Sequence, residues 1–261
     1  MKINIKGFNI NYDIVNNDLL NVGNDLLVFL HEGLGSIPQW KGFPKIMANK
    51  MQLPALVYER IGYGESDYWT DGKIKSKFLH YEANTILPAL IKELGISNKI
   101  ILFGHSDGGT IALIHASDAL PQIKAAIIEA PHILLEQHSL NGIRKARAIL
   151  NNDKIVNIMN RYHQGRAAML IDEWTAHWLE ANSNDWDTTE LLRKITIPLL
   201  LIQGENDDFG TFLQIDKVEE YCNSEFVKVE KLKNCGHVPH LENQDVILST
   251  VYDFINNYIN E

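Results

Sequence analysis

The stretch Gly104-His105-Ser106-Asp107-Gly108 places a serine between two glycines in a G-x-S-x-G pattern. A serine hydroxyl is a poor nucleophile at neutral pH and needs a base within hydrogen-bond reach. Of the 10 histidines, His237 stands out for its setting, Asn234-Cys235-Gly236-His237-Val238-Pro239, between an apolar run and a helical pattern. A histidine base in turn needs an acid that fixes its tautomer and stabilises the imidazolium. Gly204-Glu205-Asn206-Asp207-Asp208 follows another apolar run and offers Asp207, with Asp208 and Glu205 as competitors. Such a set would perform nucleophilic attack through Ser106, with His237 as general base and Asp207 orienting it.

The elements that must position these residues are short apolar runs alternating with helical patterns. Leu26–Leu30, Ala55–Tyr58, Ile100–Phe103, Ala125–Ile128, Ile197–Ile202 and Phe226–Leu232 read as strands. Their continuous apolar character suits strands buried on both faces, as in a parallel sheet covered by helices. Lys2–Lys6 and Phe8–Val15, with Gly7 between them, read as an antiparallel pair. Phe78–Leu94, Gly108–Ala119 and Leu241–Ile259 carry helical spacing. Strands separated by helices predict a doubly wound α/β sheet. In that context the serine follows a strand and opens a helix, the setting a nucleophile elbow requires. On glycines alone it also fits a plain strand–helix turn with a capping serine. In an open α/β sheet, loops after strand ends share one edge, where sites form. That places Ser106, Asp207 and His237 together.

One stretch breaks the rhythm. Between Pro131 and about Lys194 no convincing strand is visible, and helical pattern is ample. We read residues 1–131 and 195–261 as the core and 132–194 as a helical cap inserted over one end of the sheet, a stretch too long for a single crossover.

The bulk numbers agree with one large domain. The chain has 261 residues, 45% apolar and 22% charged, with a formal net charge of −9. An acidic surface repels phosphate backbones and anionic membranes, so nucleic-acid and membrane partners are not expected. Two cysteines, Cys222 and Cys235, suggest neither a disulfide framework nor a metal site. The N-terminal segment lacks the apolar core of a signal peptide, and no apolar run approaches a membrane span. A cytoplasmic monomer or homodimer acting on a small molecule is expected. There is no metal cluster, phosphate-binding glycine loop or dinucleotide fingerprint, so no cofactor is expected.

On these motifs the chain resembles the α/β-hydrolase superfamily along nearly its whole length. His31-Glu32-Gly33-Leu34-Gly35-Ser36 is similar to its H-G-x-x-G oxyanion loop, and Arg60-Ile61-Gly62-Tyr63-Gly64-Glu65-Ser66 to its R-x-G-x-G-x-S stretch. The elbow, the G-x-x-D ending at Asp207 and the G-H-x-P around His237 complete the likeness, in the chain order Ser, Asp, His. The resemblance implies an α/β-hydrolase fold with a helical cap and an esterase-like or peptidase-like activity. Such an enzyme would cleave an ester, thioester or amide through an acyl-enzyme. It also leaves open C–C bond hydrolysis or lyase chemistry on the same triad, and a non-catalytic ligand-binding member of the fold. The oxyanion hole it implies uses the backbone N–H groups of Gly33 and Asp107.

Glu32 departs from the pattern, which usually has glycine there. Its carboxylate either lies beside the site or points away to pair with a nearby base such as Arg60. The Asp107 side chain either merely favours the helix N-terminus or binds a cationic substrate group. Leu34, His132, Trp174 and Trp178 are candidate pocket residues, although Trp40, Trp174 and Trp178 also suit plain packing. His132, as an alternative base, has no obvious acid. Arg144, Arg147 and Arg166 could hold a carboxylate or lie solvated on the cap.

Overall fold

A computed structural model describes residues 1–20, 23–69, 77–180 and 186–259. Eight strands form one sheet: β1 (Lys2–Ile5), β2 (Phe8–Val15), β3 (Leu26–Leu30), β4 (Ala55–Tyr58), β5 (Ile100–His105), β6 (Ile123–Glu129), β7 (Leu199–Gly204) and β8 (Val227–Leu232). Their order is β1-β2-β4-β3-β5-β6-β7-β8. β1 pairs antiparallel with β2, and β2 antiparallel with β4; every other pairing is parallel. This is the mostly parallel α/β sheet that the alternation of runs predicts.

The helices are α1 (Asn17–Leu20), α2 (Phe43–Met51), α3 (Phe78–Tyr81), α4 (Leu87–Glu93), α5 (Asp107–Ala116), α6 (Gln137–Leu150), α7 (Asp153–Asn160), α8 (Ala167–Leu179), α9 (Thr189–Leu192), α10 (Leu213–Tyr221), α11 (Pro239–Glu242) and α12 (Gln244–Tyr258). Successive side chains of a strand point to opposite faces, and the core divides accordingly. Leu26, Val28, Leu30, Ile100 and Leu102 join one cluster with α4 and α5. Leu27, Phe29, Ile101 and Phe103 join the other with α2 and α12. Both faces are covered, which is why the runs are apolar throughout rather than alternating.

The helix expected over Phe78–Leu94 is interrupted. Glu82–Ile86 takes π geometry between α3 and α4. Pro88 lacks an N–H, and its ring crowds the carbonyl of Asn84, so the turn widens ahead of it. Glu82 is buried there and accepts the Ile61 N–H at 3.0 Å.

Between β6 and β7 the chain leaves the sheet and forms α6 to α9. Among the described residues of 132–194, the β contact recorded is an isolated antiparallel bridge, Leu134 to Asp187. Residues 181–185 of that stretch lie outside the described residues. Among the described residues, no helix is long and apolar enough to cross a membrane.

Candidate active site

The serine lies where β5 ends and α5 begins. Ser106 has φ 55° and ψ −120°, a region that costs a non-glycine residue about 1–3 kcal/mol and persists only when its surroundings enforce it. They do. Ser106 N–H donates to the Glu129 carbonyl at 2.9 Å, and its own carbonyl accepts from Thr110 N–H at 3.0 Å. The glycines allow the reversal by leaving no side chain in the way. A Cβ on Gly104 would lie 2.3 Å from the Gly108 carbonyl oxygen, and one on Gly108 would lie 1.9 Å from that of Leu30.

The loops after β7 and β8 bring the partners. Ser106 Oγ is 3.0 Å from His237 Nε2, and His237 Nδ1 is 2.7 Å from Asp207 Oδ2. Asp207, rather than Asp208 or Glu205, faces the imidazole. Asp208 instead meets Lys145 at 3.1 Å on the surface. The Asp207 carboxylate also accepts from Phe209 N–H at 2.7 Å and Gln203 Nε2 at 2.6 Å. Burial opposes its ionisation, but His237 and the Phe209 N–H hold its pKa below the ordinary carboxylate value. It is therefore an anion at neutral pH, and its hydrogen bond places the proton of His237 on Nδ1. Nε2 is left with a lone pair toward Ser106.

Gly33 and Asp107 flank the serine. Asp107 is the first residue of α5, a position whose N–H has no intrahelical partner. Gly33 follows Glu32, whose carbonyl accepts from Arg60 Nη2 at 2.7 Å, Gly35 N–H at 3.1 Å and His31 Nδ1 at 2.8 Å. His31 Nε2 in turn accepts the Arg60 N–H at 3.0 Å, which fixes the Nδ1–H tautomer. Burial, with Arg60 beside it, lowers the His31 pKa to about 3 and keeps the ring neutral.

The two acidic side chains left open by the sequence have partners. Arg60 takes the Glu32 carbonyl, whereas the Glu32 carboxylate faces His105 Nδ1 at 3.7 Å. Burial opposes its charge, but His105 draws the Glu32 pKa down to about 2. The Asp107 carboxylate is fully buried 3.5 Å from Arg60 Nη2, not open to a substrate cation.

A cavity of about 140 Å³ opens beside the serine, lined by Glu32, Gly33, Leu34, Ser106, Ala146, Leu150, Trp174, Phe209 and His237. Trp174 closes over Gly33, where a Cβ would lie 2.1 Å from the indole nitrogen. His132 and Trp178 do not line this cavity. They pack on each other behind the serine, with ring centroids 5.7 Å apart. Trp40 is core, against Phe29 and Phe103. Arg144 and Arg147 are tied to Asn141 and Asp172 at the surface. Arg166 donates to the carbonyls of Gly62, Gly64 and Ser66, so it secures that loop.

The comparisons with known proteins agree with this fold. The model of the alpha/beta hydrolase family matches residues 27–249. The chain belongs to that family. A proline iminopeptidase of Saccharolobus solfataricus is 23% identical across 96% of this chain and 90% of its own. Among solved structures, the meta-cleavage product hydrolase of Pseudomonas fluorescens IP01 superposes with TM-score 0.72, at 15% identity, over 98% of this chain and 97% of its own. Proline iminopeptidase of Mycobacterium smegmatis gives TM-score 0.71, at 16% identity, over 99% and 98%.

Several groups around the site of this α/β hydrolase have little signal in the sequence. Gln203 supports Asp207 from the end of β7, and Phe209 packs on His237 at 4.7 Å. His105 donates from Nε2 to the His237 carbonyl at 2.7 Å. His138 Nε2 lies 2.7 Å from the Asp207 carbonyl. Only the placement of Gln203 and His105 beside motif residues hints at their positions.

Proposed function

We propose that this α/β hydrolase cleaves an ester, thioester or amide of a small molecule through an acyl-enzyme on Ser106. The observation that carries the reading is the unbroken chain from Ser106 Oγ through His237 to Asp207, at 3.0 and 2.7 Å. Ser106 Oγ attacks the carbonyl carbon as His237 Nε2 takes its proton. The tetrahedral oxyanion is met by the N–H groups of Gly33 and Asp107. Each such donor is worth on the order of 10²–10³ in rate. The leaving group departs with the proton from His237, and water repeats the cycle to free the acid.

Helices α6 to α9 act in this reading as a cap, because α6 supplies Ala146 and Leu150 and α8 supplies Trp174 to the cavity wall. A cavity of about 140 Å³ with Leu34, Leu150, Trp174 and Phe209 around it suits a short apolar acyl group. A dry apolar cavity of roughly 150 Å³ holds a benzene ring. A series of p-nitrophenyl esters from acetyl to decanoyl tests this. The expected profile favours short acyl chains and vanishes in Ser106→Ala. Ester hydrolysis that survives in Ser106→Ala would remove the reading, as would a wild-type protein inert to every ester and amide tried.

A further inference from the structure

Ser106 Oγ touches two imidazoles. His237 Nε2 is 3.0 Å away and His132 Nε2 is 3.3 Å away. The rings are nearly parallel, with planes at 24° and centroids 5.8 Å apart. The acyl transfer proposed above uses one of them.

His132 is held firmly. It follows the end of β6 and is 6% exposed. Its N–H donates to Thr110 Oγ1 at 2.9 Å, and its carbonyl accepts from Thr110 Oγ1 at 3.1 Å and Trp186 Nε1 at 2.8 Å. Trp178 packs on the ring from behind. The imidazole is thus fixed against the serine oxygen.

Proton counting decides what it does there. A hydroxyl has one proton to donate. His237, oriented by Asp207, presents a lone pair at Nε2 and takes that proton. The second close contact at Oγ is then a donation from His132 Nε2–H into an oxygen lone pair. Burial, and then the neighbouring His237, lower the His132 pKa to about 3, so the ring is a neutral donor at working pH.

We infer that His132 is a second catalytic residue, a fixed hydrogen-bond donor to Ser106 Oγ that speeds expulsion of the serine from the acyl-enzyme. The inference rests on the acyl-enzyme reading above. In the free enzyme Oγ is an alcohol oxygen and a good acceptor. In the acyl-enzyme it is an ester oxygen and a poor one. The bond to His132 therefore weakens when the acyl group is in place. During deacylation water adds to the carbonyl, the C–Oγ bond breaks, and its electron pair moves onto Oγ. His237 then delivers a proton to Oγ. The His132 donor strengthens as that charge gathers, which is the condition for lowering a barrier. Acylation starts with the bond already made and gains little from it.

The two steps are separable. With p-nitrophenyl acetate in single turnover, nitrophenolate release reads acylation. Intact-protein mass spectrometry reads decay of the acetyl adduct. His132→Phe removes the donor and keeps a ring in place. His132→Ala gives the same comparison if phenylalanine disturbs folding, and His132→Gln returns an N–H donor. Deacylation should fall about tenfold in His132→Phe, the worth of one hydrogen bond, with acylation within about threefold. His132→Gln should recover most of the loss. Unchanged deacylation, or equal losses in both steps, would overturn the inference. So would faster acylation in His132→Phe, which would make His132 a rival acceptor for the serine proton. If wild type forms neither an acetyl adduct nor a fluorophosphonate adduct, the nucleophile reading fails first and takes this inference with it.

Discussion

Two short histidine–carboxylate pairs lie at the same sheet edge. His237 Nδ1 meets Asp207 Oδ2 at 2.7 Å, and His240 Nδ1 meets Glu129 Oε2 at 2.6 Å. By distance alone they are equivalent. Their surroundings are not. The His237 side chain is 16% exposed and turns its free nitrogen to Ser106 and the cavity. His240 and Glu129 are 2% and 0% exposed, and the imidazole packs among Trp40, Phe43 and Phe103. The buried pair is enclosed by these aromatic rings, and among the described residues the hydrogen bond of the His240 ring goes to Glu129. It braces the site instead, since the Glu129 carbonyl holds the Ser106 N–H. A short His–carboxylate contact therefore does not define a site. Access and a nucleophile at the far nitrogen do.

Substitutions at the two pairs should separate chemistry from stability. The largest effect is expected from His237→Ala, which should lower kcat/KM on ester substrates on the order of 10⁶-fold. Urea unfolding of that variant should show a smaller loss than the same change in the buried pair, because the Asp207 carboxylate it strands keeps its bonds from Gln203 and the Phe209 N–H. Asp207→Asn should cost about 10⁴-fold, since an amide stabilises the wrong imidazole tautomer. His240→Ala should behave in the opposite way. It strands a buried carboxylate, and urea unfolding should show a loss of about 3 kcal/mol, with kcat/KM per folded molecule within about tenfold of wild type. A His240→Ala protein that stays stable but loses activity as His237→Ala does would break the comparison.

The smallest effect concerns pH. The Asp207 carboxyl is held below its ordinary pKa, so its pair with His237 contributes stability above the unfolded value of about 3.9. That contribution disappears as pH falls through the lower folded value. The stability of wild type over Asp207→Asn should therefore be greater at pH 6 than at pH 3. Equal differences at both would show that the pair does not select the charged form.

The sheet was legible because a parallel strand covered on both faces must be apolar at every position. Leu26–Leu30 is buried throughout and supplies both cores. The meeting of Ser106, Asp207 and His237 was legible for a related reason: strand ends in such a sheet share one edge. What the sequence hid depends on contacts between distant segments. Arg60 has several nearby acids, and only the folded loop directs it to the Glu32 carbonyl and Asp107. Glu129 and His240 are 111 residues apart, and neither position looks unusual. α10 buries only Gln214, Ile215 and Val218, too few for a clear apolar stripe. The second contact at Ser106 was hidden because His132 has no acid of its own. Its place after Glu129-Ala130-Pro131, at a strand end, puts it near the active-site edge, but nothing in the sequence separates a serine contact from a pocket wall.

The most direct measurement is covalent labelling with a fluorophosphonate probe, with the modified residue located by peptide mass spectrometry. One adduct is expected, on Ser106, in wild type and in His240→Ala. None is expected in Ser106→Ala, and strongly slowed labelling in His237→Ala. Wild type that does not label, or Ser106→Ala that labels as fast as wild type, would contradict Ser106 as the nucleophile.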